Sequence, residues 1–309
     1  MKIVFMGTPD FAATVLEGLF STEHEIGYVV TQPDKAKNRG KKIQFTPVKD
    51  KALQHGVPVL QPEKIRGNSD FLETMKEYNP DIIVVVAFGQ ILPKSILELP
   101  KYGCINVHAS LLPKLRGAAP IQRAIIDGEE KTGVTIMQMA DGIDTGDMIL
   151  KESVDIGHMN YSQLHDVLAD IGTNLLIKTL DLIDEGQATR TPQDETLSTY
   201  AKMIFKQEGQ IDFSKSPVEV ERLIRGFDPW PGAFCQYGDI VIKLWKAEPL
   251  DDICSEPAGT IMYVGEEGIK ISCGGKILLA TEIQVPGKKR VAVKDYIRGN
   301  DIIKGSILK

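Results

Sequence analysis

The chain has 309 residues, of which 42% are hydrophobic and 25% are charged, and its formal net charge is −6. This length allows about two globular domains, and the composition is ordinary for a globular protein. No apolar run approaches the ~18 residues that a membrane span requires, so a membrane partner is not expected.

The first half of the chain alternates short apolar runs with helical patterns. The predicted strands are residues 2–6, 26–31, 57–60, 82–87, 103–108 and 133–138. The predicted helices lie near residues 10–20, 47–55, 66–78, 92–98, 118–127 and 161–185. Because the strands are almost continuously apolar and alternate with helices, we predict a doubly wound, mostly parallel, Rossmann-like α/β domain. Ligands of such sheets bind beyond the carboxyl ends of the strands.

The first turn argues against a dinucleotide-binding site. It reads Gly7-Thr8-Pro9-Asp10-Phe11 and lacks the G-x-G-x-x-G pattern, because Gly7 is its only glycine. Gly7 is interpreted as allowing a tight turn from strand to helix.

One segment carries the groups for acyl transfer. Residues 104–117 read Cys-Ile-Asn-Val-His-Ala-Ser-Leu-Leu-Pro-Lys-Leu-Arg-Gly, and Asp-Gly-Ile-Asp-Thr-Gly follows at 141–146. Asn106 and His108 are two residues apart in a predicted strand, so both side chains point to one face. The amide can donate to an oxyanion, the imidazole can take a proton from an attacking amine, and Asp144 can orient the imidazole.

The residues alone leave this assignment open. A lone histidine in a strand is often structural, and acidic residues in glycine-rich loops are often turn residues. Asp141 and Asp147 flank the same loop as Asp144.

The pattern changes after a long helix. Residues 187–208 are polar and irregular, and from about residue 209 short predicted strands alternate with turn residues. Several short strands with glycine-containing turns are typical of a small β-barrel, which we interpret as OB-like. We therefore divide the chain into a catalytic domain at 1–189, a linker at 190–208 and a C-terminal β-barrel domain at 209–309.

The two motifs at 104–117 and 141–146 resemble those of the 10-formyltetrahydrofolate-dependent formyltransferases, and the resemblance extends from Met1 to the end of the chain. It implies that Asn106, His108 and Asp144 are catalytic, that 10-formyltetrahydrofolate is the formyl donor, and that no metal takes part. The implied folate-binding residues are Phe88, Gly89, Gln90, Ile91, Leu92, Ser110, Leu111, Leu112, Pro113 and Asp141.

The catalytic core does not fix the acceptor. Related formyltransferases act on a glycinamide ribotide, on amino sugars attached to nucleotides, or on water. Three features favour the methionine amine of initiator methionyl-tRNA, whose formylation serves translation initiation. They are the string at 112–123, the basic insertion at 34–42 and the extra C-terminal domain. An amino-sugar formyltransferase and an RNA-binding protein with a decayed active site are the alternatives.

Two basic segments fit an RNA partner despite the acidic total. Residues 34–51 and 286–309 each carry seven basic and two acidic side chains, net +5, which leaves −16 for the remainder. An acidic body with basic patches can bind a polyanion locally, although solvated surface lysines give the same pattern. The predicted tRNA contacts are Lys35, Lys37, Arg39, Lys41, Lys42, Lys288, Lys289 and Arg290. The composition of 34–42 also predicts a loop that is mobile before RNA binds.

The remaining signals concern compartment and assembly. The cysteines are Cys104, Cys235, Cys254 and Cys273. Because they lack C-x-x-C spacing, they are interpreted as reduced thiols and not as a zinc site or disulfide frame. The N-terminus enters a strand directly, without the pattern of a signal peptide. We therefore expect a cytoplasmic, monomeric protein.

Overall fold

The structure is a computed structural model that describes residues 1–37 and 42–309. The chain forms two compact units, each described separately below. Unit 1 comprises Met1–Gly117, Thr132–Val154 and His165–Ala201, and unit 2 comprises Ala118–Lys131, Asp155–Leu164 and Lys202–Lys309.

Strands and helices alternate through the first half of the chain, and strands dominate the second half. The strands are β1 (Lys2–Gly7), β2 (Glu25–Val30), β3 (Lys35–Lys37), β4 (Lys42–Gln44), β5 (Val59–Leu60), β6 (Ile82–Val86), β7 (Cys104–His108), β8 (Arg116–Gly117), β9 (Lys131–Gln138), β10 (Met148–Asp155), β11 (Tyr200–Ala201), β12 (Ala233–Tyr237), β13 (Ile240–Leu250), β14 (Ile261–Gly265), β15 (Gly268–Cys273), β16 (Lys276–Gln284) and β17 (Val291–Ala292). The helices are α1 (Asp10–Leu19), α2 (Pro47–Gln54), α3 (Ser69–Tyr78), α4 (Lys94–Leu97), α5 (Pro120–Ile126), α6 (Tyr161–Asp184), α7 (Pro217–Gly226) and α8 (Val293–Tyr296).

A seven-stranded sheet with the order β10-β9-β7-β6-β1-β2-β5 organises the first part of the chain. The pairs from β7 to β5 are parallel, and β9 runs antiparallel to β7. Every residue of β6 is buried, which explains its continuous apolar sequence. The prediction of a mostly parallel α/β sheet is confirmed.

Two features of the sheets were absent from the predicted elements. The strand β10 lies at the edge of the sheet, and its sequence MILKESVD is largely polar because much of it faces solvent. The strands β3 and β4 form a short antiparallel pair in which Lys35 lies opposite Gln44. A strand that largely faces solvent needs no continuous apolar pattern, so periodicity gave no signal at β10.

Side-chain caps set the beginnings of α3 and α7. Asn68 accepts a hydrogen bond from the Phe71 amide, so α3 begins at Ser69 and not at residue 66 as predicted. Ser216 and Glu219 form a capping box at the start of α7.

Unit 2 contains an antiparallel sheet with the order β12-β13-β16-β15-β14, and β17 pairs with β16. In these pairings β12 and β14 are edge strands. The C-terminal segment hydrogen-bonds to both edge strands: the Ile261 amide of β14 donates to the Ser306 carbonyl, and Gln236 of β12 and Lys309 exchange two backbone hydrogen bonds. The buried side chain of Leu308 joins the core that the sheet encloses. The C-terminal segment therefore covers part of each edge. Because β12 and β14 do not pair with each other in this sheet order, the predicted β-barrel is not closed.

Residues 190–208, the predicted linker, contain β11 and two short 3-10 helices, at Glu195–Leu197 and Lys206–Gly209. The strand β11 pairs in parallel with β8. Within residues 1–37 and 42–309, no helix combines the length and the apolar character that a transmembrane span needs.

Candidate active site

The strand β7 places Asn106 and His108 at the carboxyl edge of the parallel strands. Asn106 lies opposite Val85 of β6, and His108 lies opposite Thr135 of β9. The two side chains share one face because side chains alternate along a strand. Asn106 is half-buried, and His108 is only 6% exposed.

Asp144 approaches both of these residues from the turn between β9 and β10. Its Oδ2 lies 3.5 Å from His108 Nδ1, and its Oδ1 accepts a 3.4 Å hydrogen bond from Asn106 Nδ2. Its Oδ2 also accepts the amide of Gly117 at 2.8 Å. The fold therefore brings the three predicted catalytic residues into one cluster.

The hydrogen bonds of His108 define the role of each ring nitrogen. His108 Nε2 lies 2.9 Å from the carbonyl oxygen of Leu115. Because a carbonyl can only accept, Nε2 carries a hydrogen and donates it. The Nδ1 atom, which faces Asp144, is then the nitrogen that can gain or lose a proton.

The choice among three aspartates follows from their positions. Asp141 is exposed and Asp147 is half-buried, and neither has a side-chain contact with His108 among those resolved. Asp144 has a positive φ of 54°, a left-handed conformation that turns its carboxylate toward β7.

In the predicted folate loop at 110–113, some of the polar backbone groups form hydrogen bonds within the protein. Ser110 and Leu112 are buried. The hydroxyl of Thr135 donates a hydrogen bond to the Ser110 carbonyl at 2.7 Å and accepts one from the Leu112 amide at 3.1 Å, so it links the two residues. Leu111 and Pro113 are half-buried. Ser110 and Leu112 therefore shape the loop, whereas Leu111 and Pro113 remain partly accessible to a ligand.

The second predicted folate segment follows β6 and also divides into buried and accessible residues. Phe88 and Leu92 are buried in the core of unit 1, and Gln90 is held by side-chain hydrogen bonds to the main chain of a neighbouring loop. Gly89 is exposed with φ 84°, and Ile91 is 71% exposed. Exposed backbone at Gly89 and an exposed apolar side chain at Ile91 are available to a planar heterocycle.

The predicted linker contributes a residue that sequence reasoning missed. Gln193 Nε2 donates to the carbonyl oxygens of Asp144 at 2.8 Å and Gly146 at 2.7 Å. Gln193 Oε1 accepts from Arg116 Nε at 3.0 Å and Nη2 at 2.8 Å. A glutamine in an irregular polar segment has no periodic signal, so no pattern in the sequence marked it.

The predicted basic contacts of the C-terminal region differ in availability. Lys288 and Lys289 are exposed. The guanidinium of Arg290 instead pairs with the Asp228 carboxylate at 2.6 and 3.1 Å and lies 3.9 Å from the ring centroid of Trp245. The charge of Arg290 is therefore already compensated within unit 2.

A further basic cluster surrounds Lys243, which was not among the predicted contacts. Its ammonium group donates to the Pro231 carbonyl at 2.8 Å. Burial lowers the pKa of Lys243, and the positive charges of Lys206 and Arg290 lower it further. Lys206 and Arg290 therefore lie near enough to Lys243 for their charges to act on it, although the charge of Arg290 is balanced by Asp228.

The basic insertion is only partly described. The strand β3 contains Lys35 and Lys37, and β4 begins at Lys42. Arg39 and Lys41 lie outside the described residues, as does most of the segment predicted to be mobile.

No metal ligands gather in the described part of the chain: residues 1–37 and 42–309 contain no group of three or more His, Cys, Asp or Glu residues placed to hold a metal ion. The four cysteines are buried free thiols.

Comparison with known proteins identifies the family of the chain. Residues 1–180 match the sequence model of the family described as Formyl transferase, and residues 203–301 match that of the Formyl transferase C-terminal domain. The chain belongs to the formyl transferase family. The resemblance seen in the sequence motifs is therefore confirmed.

One curated relative and two solved structures show how far the similarity to this family extends. The chain is 52% identical over 309 residues to a methionyl-tRNA formyltransferase of Clostridioides difficile (strain 630), with 100% of both chains covered. The N-formyltransferase of Helicobacter canadensis, solved with folinic acid and dTDP-3-aminofucose, matches with a TM-score of 0.66 and 22% identity over 91% of this chain and 98% of that chain. HypX of Aquifex aeolicus, solved with tetrahydrofolic acid, matches with a TM-score of 0.65 and 16% identity over 99% of this chain. The chain spans about half of that HypX protein, 50% of its length. These two structural matches establish the shared fold.

Proposed function

We propose that the chain transfers the formyl group of 10-formyltetrahydrofolate to the amino group of methionine on initiator methionyl-tRNA. The observation that carries the reaction class is the convergence of Asn106, His108 and Asp144 within residues 1–180, which match the Formyl transferase model. The choice of acceptor is supported by the full-length similarity to a methionyl-tRNA formyltransferase.

The proposed chemistry balances without a covalent enzyme intermediate. The methionine nitrogen attacks the formyl carbon, and the carbonyl oxygen becomes an oxyanion. Asn106 Nδ2 has two hydrogens, of which one points to Asp144, so the other can donate to the oxyanion. The tetrahedral intermediate then expels N10 of the folate, and the formyl–N10 bond breaks.

Proton transfer accompanies these steps, because the attacking nitrogen loses one proton and N10 gains one. His108 Nδ1 is the nitrogen available to carry that proton, directly or through water, since Nε2 is engaged with Leu115. Asp144 lies 3.5 Å from Nδ1 and orients the ring.

The folate donor is proposed to lie against the accessible parts of the two predicted loops. Gly89 and Ile91 on one loop, and Leu111 and Pro113 on the other, offer exposed backbone and apolar surface. The structural neighbour from Helicobacter canadensis was solved with folinic acid, which supports a folate ligand for this fold. Asp141 is exposed and is proposed as a further polar contact. The mechanism needs no metal.

We propose that residues 1–189 carry the chemistry and that residues 209–309 bind tRNA. The exposed Lys288 and Lys289 and the positive charge around Lys243 support phosphate contacts in the C-terminal region. The insertion at 34–42 is proposed as a second RNA contact. A cytoplasmic location is proposed because the proposed acceptor is an aminoacyl-tRNA, and a monomer remains the expectation for its assembly.

A direct test offers formyl-labelled 10-formyltetrahydrofolate with charged initiator methionyl-tRNA or with a nucleotide-linked amino sugar. We expect label on the tRNA only, and loss of at least about 10²-fold in rate for His108→Ala, the usual worth of general acid–base catalysis. The exposed His158 offers a matched control, and His158→Ala is expected to keep the wild-type rate.

The alternatives give different results. Label on the amino sugar and not on the tRNA would reassign the acceptor. Binding of tRNA without any consumption of folate would indicate an RNA-binding protein with an inactive site.

A further inference from the structure

We infer that Gln193 is a positioning residue that holds Asp144 in its working conformation, and that the buried Arg116 holds Gln193 in turn. The inference rests on the proposed function of Asp144 and adds residues outside the three-residue cluster. It assigns a role in catalysis to a segment that the sequence predicted to be a linker.

Asp144 adopts a conformation that its surroundings must maintain. Its φ of 54° lies in the left-handed region, which residues with a Cβ rarely occupy. The Gly117 amide holds the carboxylate at 2.8 Å, but this contact does not engage the main chain of Asp144 itself. Gln193 supplies the second restraint, because its amide nitrogen bridges the carbonyls of Asp144 and Gly146.

The orientation of the Gln193 amide is fixed by its partners. Both hydrogens of Nε2 go to carbonyl oxygens, and Oε1 faces two N–H groups of Arg116. An arginine side chain has donors only, and a carbonyl oxygen only accepts. A flipped amide would place donors against donors and acceptors against acceptors, so only one orientation satisfies all four contacts.

Arg116 is suited to hold this glutamine. Its side chain is 1% exposed, and its remaining donors form a bidentate pair with Glu195 at 2.8 and 2.9 Å. This pairing raises the pKa of Arg116 and lowers the pKa of Glu195, so both groups stay charged at neutral pH. The guanidinium is therefore a fixed part of unit 1.

The main chain around Arg116 holds the catalytic side chains from the other side. The carbonyl of Leu115 accepts from His108 Nε2, and the amide of Gly117 donates to Asp144 Oδ2. The backbone of residues 115 and 117 thus contacts His108 and Asp144 directly, and the side chain of Arg116 contacts Asp144 through Gln193. Asp144 is held by its carboxylate through Gly117 and by its main chain through Gln193.

The variant Gln193→Glu separates positioning from simple packing. A carboxylate still accepts from Arg116, and that contact becomes an ion pair, but it has no hydrogen to donate to the Asp144 and Gly146 carbonyls. If Gln193 served only to satisfy Arg116, the variant would be tolerated. We expect instead a fall in kcat of about 10–10²-fold with the KM for both substrates unchanged, the scale of loss from a small displacement of a catalytic group.

Two matched comparisons sharpen this test. Gln187 is exposed near the end of unit 1's last helix, so Gln187→Glu makes the same charge change and is expected to keep wild-type kinetics. In a double-mutant cycle, Gln193→Glu is expected to add no further loss to Asp144→Ala, because it acts through Asp144. Losses that multiply would overturn the inference.

A readout that needs no activity keeps the inference separate from the proposed function. Hydrogen exchange of the Gly117 amide, measured by NMR, reports its bond to Asp144. We expect faster exchange in both Gln193→Glu and Asp144→Ala, while the Arg116 amide, bonded to the Thr199 carbonyl at 2.9 Å, stays protected. Unchanged Gly117 exchange in Gln193→Glu would overturn the inference. Absence of transfer by the wild-type enzyme would reject only the proposed function.

Discussion

Replacing Asn106 by alanine should remove the proposed oxyanion donor while leaving the fold almost intact. Asn106 is half-buried, and its one resolved side-chain hydrogen bond, to Asp144, is long at 3.4 Å. The loss of such a bond costs about 0.5–1.5 kcal/mol of stability at most. A single oxyanion donor is typically worth about 10²–10³-fold in kcat, or about 3–4 kcal/mol of barrier.

The small expected loss of stability and the large expected loss of transition-state stabilisation together predict a specific kinetic result. Because the donor acts when negative charge develops in the transition state, kcat should fall about 10²–10³-fold, while the KM for folate and for tRNA stays close to wild type. Steady-state formyl transfer at saturating tRNA measures kcat, and thermal unfolding measures the change in stability. Asn300, an exposed residue of unit 2, provides the control variant Asn300→Ala.

Two results would refute this reasoning. A rate within a few-fold of wild type would mean that another group stabilises the oxyanion. A rise in KM with unchanged kcat would mean that Asn106 binds substrate and transition state equally. The variant Asn106→Asp keeps the shape but replaces the donor by a second carboxylate beside Asp144, so we expect it to be at least as slow as the alanine variant.

Two other predictions follow from burial and charge. Burial raises the pKa of the Cys104 thiol to about 12, so it stays protonated and its labelling by a thiol reagent should remain slow from pH 7 to 9; fast native labelling of Cys104, located by mass spectrometry, would contradict this. The double variant Lys288→Ala/Lys289→Ala should weaken tRNA binding and reduce the slope of log K against log salt by about 2, as two lost phosphate contacts would. Lys76→Ala, at an exposed lysine of α3, serves as the control. An unchanged salt slope in the double variant would remove Lys288 and Lys289 from the interface.

Several parts of this protein were determined by local sequence. The buried strand β6 follows from a continuous apolar run. The shared face of Asn106 and His108 follows from the two-residue period of a strand. These features depend on neighbours in the chain, so a single sequence suffices to predict them.

Other parts were decided only by the tertiary structure. Three aspartates of one loop have similar local surroundings, and only the approach of that loop to β7 selects Asp144. Gln193 lies 49 residues from Asp144 in sequence, so no local pattern could connect them. Arg290 was predicted as a tRNA contact, but it pairs with Asp228, which lies 62 residues away in the sequence. In each case the deciding interaction is a hydrogen bond or ion pair between distant segments, and such contacts exist only once the chain has folded.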